Sequence, residues 1–220
     1  MEILYDHVFF DFDGTLADTS EGIISALSQT LEHFGVTVED RAFLRRFIGP
    51  PLGDAFCEYY GFSGEQAEQA VAYYRTLYGG GEMFRCRPYP GIYDCLAFLK
   101  GCGVKICTAT SKPEPYTDRI LAYHGMEYLF DRVYGADPEN GRYRKKEVLE
   151  YALENSGLKH EKHRALLIGD TKYDIIGAKE VGIDTVGVLY GFGTLADLVR
   201  YEADHIVRSA REISQYVIRI

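Results

Sequence analysis

The 220-residue chain suits one large domain or one domain carrying a smaller insert, and at 46% hydrophobic and 26% charged it can bury a proper core. Its formal net charge of −9 argues against a nucleic-acid or anionic-membrane surface. A small phosphate stays within reach, because local cations and amides outweigh distant charge. No stretch approaches the roughly 18 apolar residues of a membrane span, and Met1–Asp6 lacks a basic region and a long apolar one. Cys57, Cys86, Cys95, Cys102 and Cys107 form no C-x-x-C pair and have no zinc spacing with a histidine. A cytoplasmic protein with reduced thiols is expected.

In chain order, the apolar run Val8-Phe9-Phe10 predicts a buried strand over about Tyr5–Phe10. It delivers Asp11 and Asp13, which emerge on one face of a strand roughly 6–7 Å apart. Gly14 then lets the backbone turn. Two like charges there call for a cation, a shared proton or an attacking role. The pattern next turns helical: Asp18 and Glu21 suggest a capping box, Ile24, Leu27, Leu31 and Phe34 keep helical spacing, and Gly35 closes the helix. A short helix over Arg41–Phe47 is broken at Ile48-Gly49-Pro50-Pro51-Leu52, and helices come next over Gly53–Tyr60 and Glu65–Tyr78. Residues 16–86 therefore read as an all-helical insert, and residues 1–15 and 87–220 as the α/β core.

From Pro88 helices and strands alternate. Helices are expected over Ile92–Leu99, Tyr116–His124, Lys145–Asn155, Ile175–Val181, Ala196–Tyr201 and Ala210–Tyr216. Strands are expected over Val104–Thr110, Asp131–Gly135, Ala165–Asp170, Thr185–Leu189 and His205–Val207. Such alternation implies a mostly parallel sheet with right-handed crossovers, a Rossmann-like three-layer core. Ligand sites in these sheets lie beyond the carboxyl ends of the strands. Asp11, Thr110 and Asp170 all sit there.

One sheet edge would thus collect Asp11, Asp13, Thr110, Ser111, a lysine from the Arg144-Lys145-Lys146 run, Asp170 and Asp174. Carboxylates within about 5 Å of one another repel by a few kcal/mol per pair at an effective dielectric near 20. A hard divalent cation relieves that repulsion, and oxygen-only ligands select Mg²⁺. A lysine, a hydroxyl and backbone N–H groups suit a phosphoryl group's remaining oxygens. One carboxylate can attack phosphorus, and the second can protonate the leaving oxygen and later activate water.

Four motifs in order (Asp11-Phe-Asp13-Gly-Thr, Thr110-Ser-Lys, a lysine before a helix, and Gly169-Asp170-Thr-Lys-Tyr-Asp174) resemble those of the haloacid-dehalogenase-like superfamily over nearly the whole chain. The insert resembles its four-helix cap. Ile48-Gly-Pro-Pro-Leu52 and Ala109-Thr-Ser-Lys-Pro113 are similar to the phosphoglycolate-phosphatase-like subgroup. The resemblance implies Asp11 as nucleophile and Mg²⁺ ligand, and Asp13 as general acid/base giving its backbone carbonyl to the metal. It further implies Thr110 and Ser111 on the phosphoryl group, Asp170 on the metal, and Asp174 as a ligand or a supporting partner. For the lysine, Lys145 lies three residues before the apolar Val148-Leu149 pair, and Lys146 is the alternative. Arg45 and Arg46 meet either solvent or a second anionic group of the substrate, and Arg46, Gly49 and Pro50 are the candidates for specificity. Gly191-Phe-Gly-Thr194 reads as a turn, since one G-x-G is a weak nucleotide signal. The expected activity is Mg²⁺-dependent hydrolysis of a small soluble phosphate monoester, phosphoglycolate-like or a nucleoside monophosphate, with the cap closing over it. A phosphosugar mutase of the same fold and a non-catalytic metabolite sensor are the alternatives.

Overall fold

The computed structural model describes residues 1–219, which divide into two compact units: Met1–Ala17 with the described residues from Pro88 onward, and Asp18–Arg87. In chain order β1 (Glu2–Ile3), β2 (His7–Phe10) and β3 (Ala17–Asp18) lead out of the first unit. Helices α1 (Ser20–His33), α2 (Leu52–Tyr60) and α3 (Gly64–Gly80) build the second, and β4 (Arg87–Pro88) leads back. Then come α4 (Ile92–Gly101), β5 (Lys105–Thr108), α5 (Glu114–Tyr123), α6 (Lys145–Asn155), β6 (Ala165–Gly169), α7 (Lys172–Val181) and β7 (Asp184–Val188). The chain finishes with α8 (Leu195–Arg200), β8 (His205–Val207), α9 (Ser214–Val217) and β9 (Ile218–Arg219).

The first unit is built on a five-stranded sheet of order β5-β2-β6-β7-β8, with every neighbouring pair parallel. This is the α/β architecture expected from the sequence. All five residues of β6 are buried, as an apolar run flanked on both faces requires. On one face Phe9 and Leu167 pack with Val148, Leu149, Ala152 and Leu153 of α6 and Ala178 and Val181 of α7. Register does the rest: Phe10 pairs with both Thr108 and Ile168, so the next residues of β2, β5 and β6 emerge side by side at one sheet edge.

In the second unit α3 packs against both α1 and α2. Leu27, Leu31, Leu44, Phe47, Phe56, Ala67 and Ala70 are buried, with Phe47 edge-on to Phe56 at 5.2 Å. Ser63 and Gln66 form a capping box at the start of α3, and Gly61 ends α2 in the left-handed region at φ 67°.

Several local expectations are corrected. The first strand starts at His7, because the backbone around Tyr5 turns toward Val217 instead. No capping box forms at Asp18: it accepts from Ser20 N–H and Oγ, Thr19 stands at the N-cap, and Glu21 pairs with Arg85. Arg41–Phe47 is a 3₁₀ segment, and the helix expected over 210–216 splits into a 3₁₀ turn (Ala210–Glu212) and α9. Asp131–Gly135 is no strand. It touches the sheet through one bridge, Cys107 to Arg132, and through Tyr134 to Thr108 and Thr110. The pairing of β1 with β9 was not foreseen; two residues leave no period to read. Among the described residues all five cysteines are free, and no helix is long and apolar enough to cross a membrane.

Candidate active site

Asp11 is the residue after β2, and its N–H still donates to Ile168 O in β6, so its position is fixed by the sheet itself (2.9 Å). Asp170 directly follows β6, and Asp174 lies in the first turn of α7. Thr171 N–H and Oγ1 both donate to Asp174 Oδ2 at 2.9 Å, which favours a carboxylate at this positive helix end. A Cβ on Gly169 would stand 2.4 Å from the Asp174 side chain, so only glycine admits Asp174 there.

Lys145 opens α6 and is almost fully buried. Its Nζ lies 2.8 Å from Asp11 Oδ1 and 2.7 Å from Asp174 Oδ1, and donates to Ala109 O at 2.8 Å. Gly177 lets it cross α7, since a Cβ there would meet Lys145 Cγ at 2.6 Å. Lys146 is exposed. The geometry thus separates the two lysines: only Lys145 reaches the carboxylates.

Asp170 is held from both sides. Thr15 Oγ1 donates to its Oδ1 (3.2 Å), while Phe192 N–H and Gly193 N–H donate to Oδ2 (2.6 and 3.4 Å). The loop that brings these N–H groups comes after β7, and it fits because residues 14, 191 and 193 are glycine. Added Cβ atoms would lie 2.1 Å (Gly14) and 2.4 Å (Gly191) from Asp170 Oδ2, and 1.8 Å (Gly193) from Asp170 O. Gly14 also needs its φ of 84°.

One carboxylate oxygen from each of Asp11, Asp170 and Asp174 lies within 4.8 Å of the others. All three are buried, and three carboxylates face a single ammonium, leaving two negative charges uncompensated. Burial, then repulsion from Asp174, pushes the Asp11 carboxyl up to about 6 despite Lys145. Burial, then Asp174 and Asp11, raises Asp170 well above the usual carboxylate range. Burial works to lower Lys145, but Asp11 and Asp174 outweigh it and hold its ammonium charged. An all-oxygen, buried, doubly negative cluster fits a hard divalent cation.

Asp13 is not one of the three clustered carboxylates. Its Oδ1 forms an ion pair with Lys112 Nζ at 3.0 Å. Thr110 is buried, with Oγ1 accepting from Lys112 N–H (3.2 Å), and Ser111 beside it is half-buried. Arg46 belongs to the second unit, exposed and with its guanidinium 4.9 Å from the Phe43 ring centroid; Gly49 (φ 112°) and Pro50 are half-buried in the same unit.

Sequence reasoning missed Lys112 and the Gly191-Phe192-Gly193 loop. Lys112 stands two residues after Thr110, which was the available signal. The loop carries none beyond two glycines just past a strand end.

The family model described as haloacid dehalogenase-like hydrolase matches residues 8–188. A 5'-nucleotidase of Pseudomonas aeruginosa is 35% identical over 201 residues, covering 91% of this chain and 90% of that protein. The tyrosine-protein kinase PtkA of Mycobacterium tuberculosis is 36% identical over 208 residues, covering 94% of this chain and 70% of the kinase. A solved predicted phosphatase from Clostridium acetobutylicum superposes with a TM-score of 0.93 at 37% identity, covering 99% of this chain and all of that one.

Proposed function

The chain belongs to the haloacid dehalogenase-like hydrolases, and from that premise we propose that it is a Mg²⁺-dependent phosphatase of small soluble phosphate monoesters, working through an aspartyl-phosphate on Asp11. The observation that carries this reading is the buried set of Asp11, Asp170, Asp174 and Lys145.

Asp11 is the nucleophile. Its oxygen bonds to phosphorus as the bond from phosphorus to the leaving oxygen breaks. Asp13 gives a proton to that oxygen, so the alcohol leaves neutral. Asp13 then takes a proton from water as the water oxygen attacks phosphorus and the phosphorus–Asp11 bond breaks, releasing phosphate. Lys145 keeps Asp11 oriented and, with Thr110 and Ser111, receives phosphoryl oxygens. Asp11, Asp170 and the main-chain carbonyl of Asp13 would hold Mg²⁺. Both oxygens of Asp174 already have partners in Thr171 and Lys145, which favours a supporting role. When bound, the ion neutralises the carboxylates and draws charge from the phosphoryl oxygens.

Nucleoside 5'-monophosphates are the first substrates to test, given the Pseudomonas relative's name. Arg46, Gly49 and Pro50 are the candidates for choosing among esters. The test is phosphate release from a panel of phosphorylated metabolites with Mg²⁺. Wild type should release phosphate, and Asp11→Asn should lose it by roughly 10³-fold or more. Unchanged release in Asp11→Asn would refute the reading. Phosphoryl transfer from ATP to a tyrosine without monoester hydrolysis would refute it in favour of a kinase.

A further inference from the structure

Two lysine side chains are buried at this sheet edge, each only 4% exposed, and they serve different carboxylates. Lys145 takes Asp11 and Asp174; Lys112 takes Asp13. Burying an ammonium is costly unless a partner compensates it, so the placement of Lys112 needs a reason. Its backbone is pinned. Lys112 N–H donates to Thr110 Oγ1 (3.2 Å), and its carbonyl accepts from Ala136 N–H (3.0 Å). Gly135 closes over that carbonyl, where a Cβ would stand 2.5 Å from the oxygen. Nζ then lies 5.9 Å from the Phe12 ring centroid and 3.0 Å from Asp13 Oδ1.

That contact divides the Asp13 carboxylate into two unlike oxygens. Oδ1 is buried against Lys112, whereas the Asp13 side chain as a whole is 20% exposed. The accessible part therefore lies in the remainder of the side chain. An aspartate on a turn has two free side-chain torsions, and one anchored oxygen removes most of that freedom. Proximity in the reactive geometry is worth orders of magnitude in rate, so an acid/base held in one direction differs sharply from a swinging one.

We propose that Lys112 is a positioning residue for the acid/base step: by holding Asp13 Oδ1 it aims Oδ2 at the leaving oxygen. This rests on the phosphatase reading of the site. The proton on Oδ2 passes to the leaving oxygen as its bond to phosphorus breaks, and Oδ2 recovers a proton from the attacking water in the second half-reaction.

The test compares first-turnover release of the leaving group from two esters: an alkyl phosphate, whose oxygen must be protonated to leave, and p-nitrophenyl phosphate, whose phenolate leaves without a proton. Asp13→Asn supplies the reference, expected about 10²–10³-fold slower on the alkyl ester and under about tenfold slower on the nitrophenyl ester. Lys112→Met keeps the length of the chain and removes its charge. It should reproduce that split, in kcat with KM little changed, and Lys112→Arg should fall between it and wild type. A folding defect lowers both rates together, so the ratio of the two esters is its own control. Equal losses on both esters, a rise in KM alone, or wild-type rates in Lys112→Met would each overturn the proposal. If Asp11→Asn still released the alcohol, the phosphatase reading itself would fall. If Asp11→Asn is inactive and Asp13→Asn selective while Lys112→Met is uniform, only the role of Lys112 falls.

Discussion

Lys145 Nζ has three protons, and three oxygens lie within reach of them: Asp11 Oδ1, Asp174 Oδ1 and the Ala109 carbonyl. Removing that cation leaves three buried carboxylates facing one another. Breaking a buried pair from one side costs about 3–5 kcal/mol, because the remaining charge is uncompensated. Lys145→Met should therefore lose about that much stability in urea denaturation above neutral pH without metal. The loss should shrink as pH falls, since protons then replace the missing cation, and shrink again with Mg²⁺. Unchanged stability in EDTA would show that the lysine does not hold the cluster together. At this scale the sequence was informative where a helix face decides burial. Lys145 lies on the face of Val148 and Leu149, and Lys146 does not. The role of Lys112 was harder to read for the opposite reason: beyond its place in the Thr110-Ser-Lys motif, a lysine before Pro113 at a helix start reads as a solvated side chain, and its partner Asp13 is far away in sequence.

Among the elements, the strand ends were legible because continuous apolar runs such as Ala165–Ile168 can only be buried strands, and the residue after each run had to reach the same edge. Loops beyond the strands were harder to read. The one after β7 reads as an ordinary turn, yet Phe192 and Gly193 N–H groups grip Asp170, a contact set by the pairing of β6 with β7 and not by local pattern. The segment 131–135 failed as a strand because it runs beside β5 with few ladder bonds, using Thr108 Oγ1 as a partner for Tyr134 N–H. Groups that orient metal ligands commonly change metal affinity by 10–100-fold when removed. Gly193→Ala, whose Cβ would run into the Asp170 carbonyl, should displace the loop and weaken Mg²⁺ binding by about that factor in calorimetric titration. Gly101→Ala, with open space around it, should leave the affinity unchanged. Equal affinities in the two variants would mean that the loop has no part in holding Asp170.

For the molecule as a whole, a net charge of −9 says little about function, because the two uncompensated charges at the strand ends matter more than those on the surface. A carboxylate whose folded-state pKa lies above its unfolded value holds its proton more tightly when folded. Its contribution to stability is present at low pH and is lost as pH rises through the folded value. For Asp11 that loss runs from 3.8 to about 6, and Asp170 extends it upward. A divalent cation competes with those protons for the same oxygens, so its benefit must grow as they leave. Contributions from groups remote from the ion are the same with and without it, and drop out of the comparison.

The gathering of distant carboxylates around one ion is therefore tested most directly by the Mg²⁺-induced rise in melting temperature, measured from about pH 5 to about pH 8. A rise that is small below about pH 6, grows through neutrality and disappears in Asp170→Asn is the expected result. A rise independent of pH, or one that survives in Asp170→Asn, would contradict it.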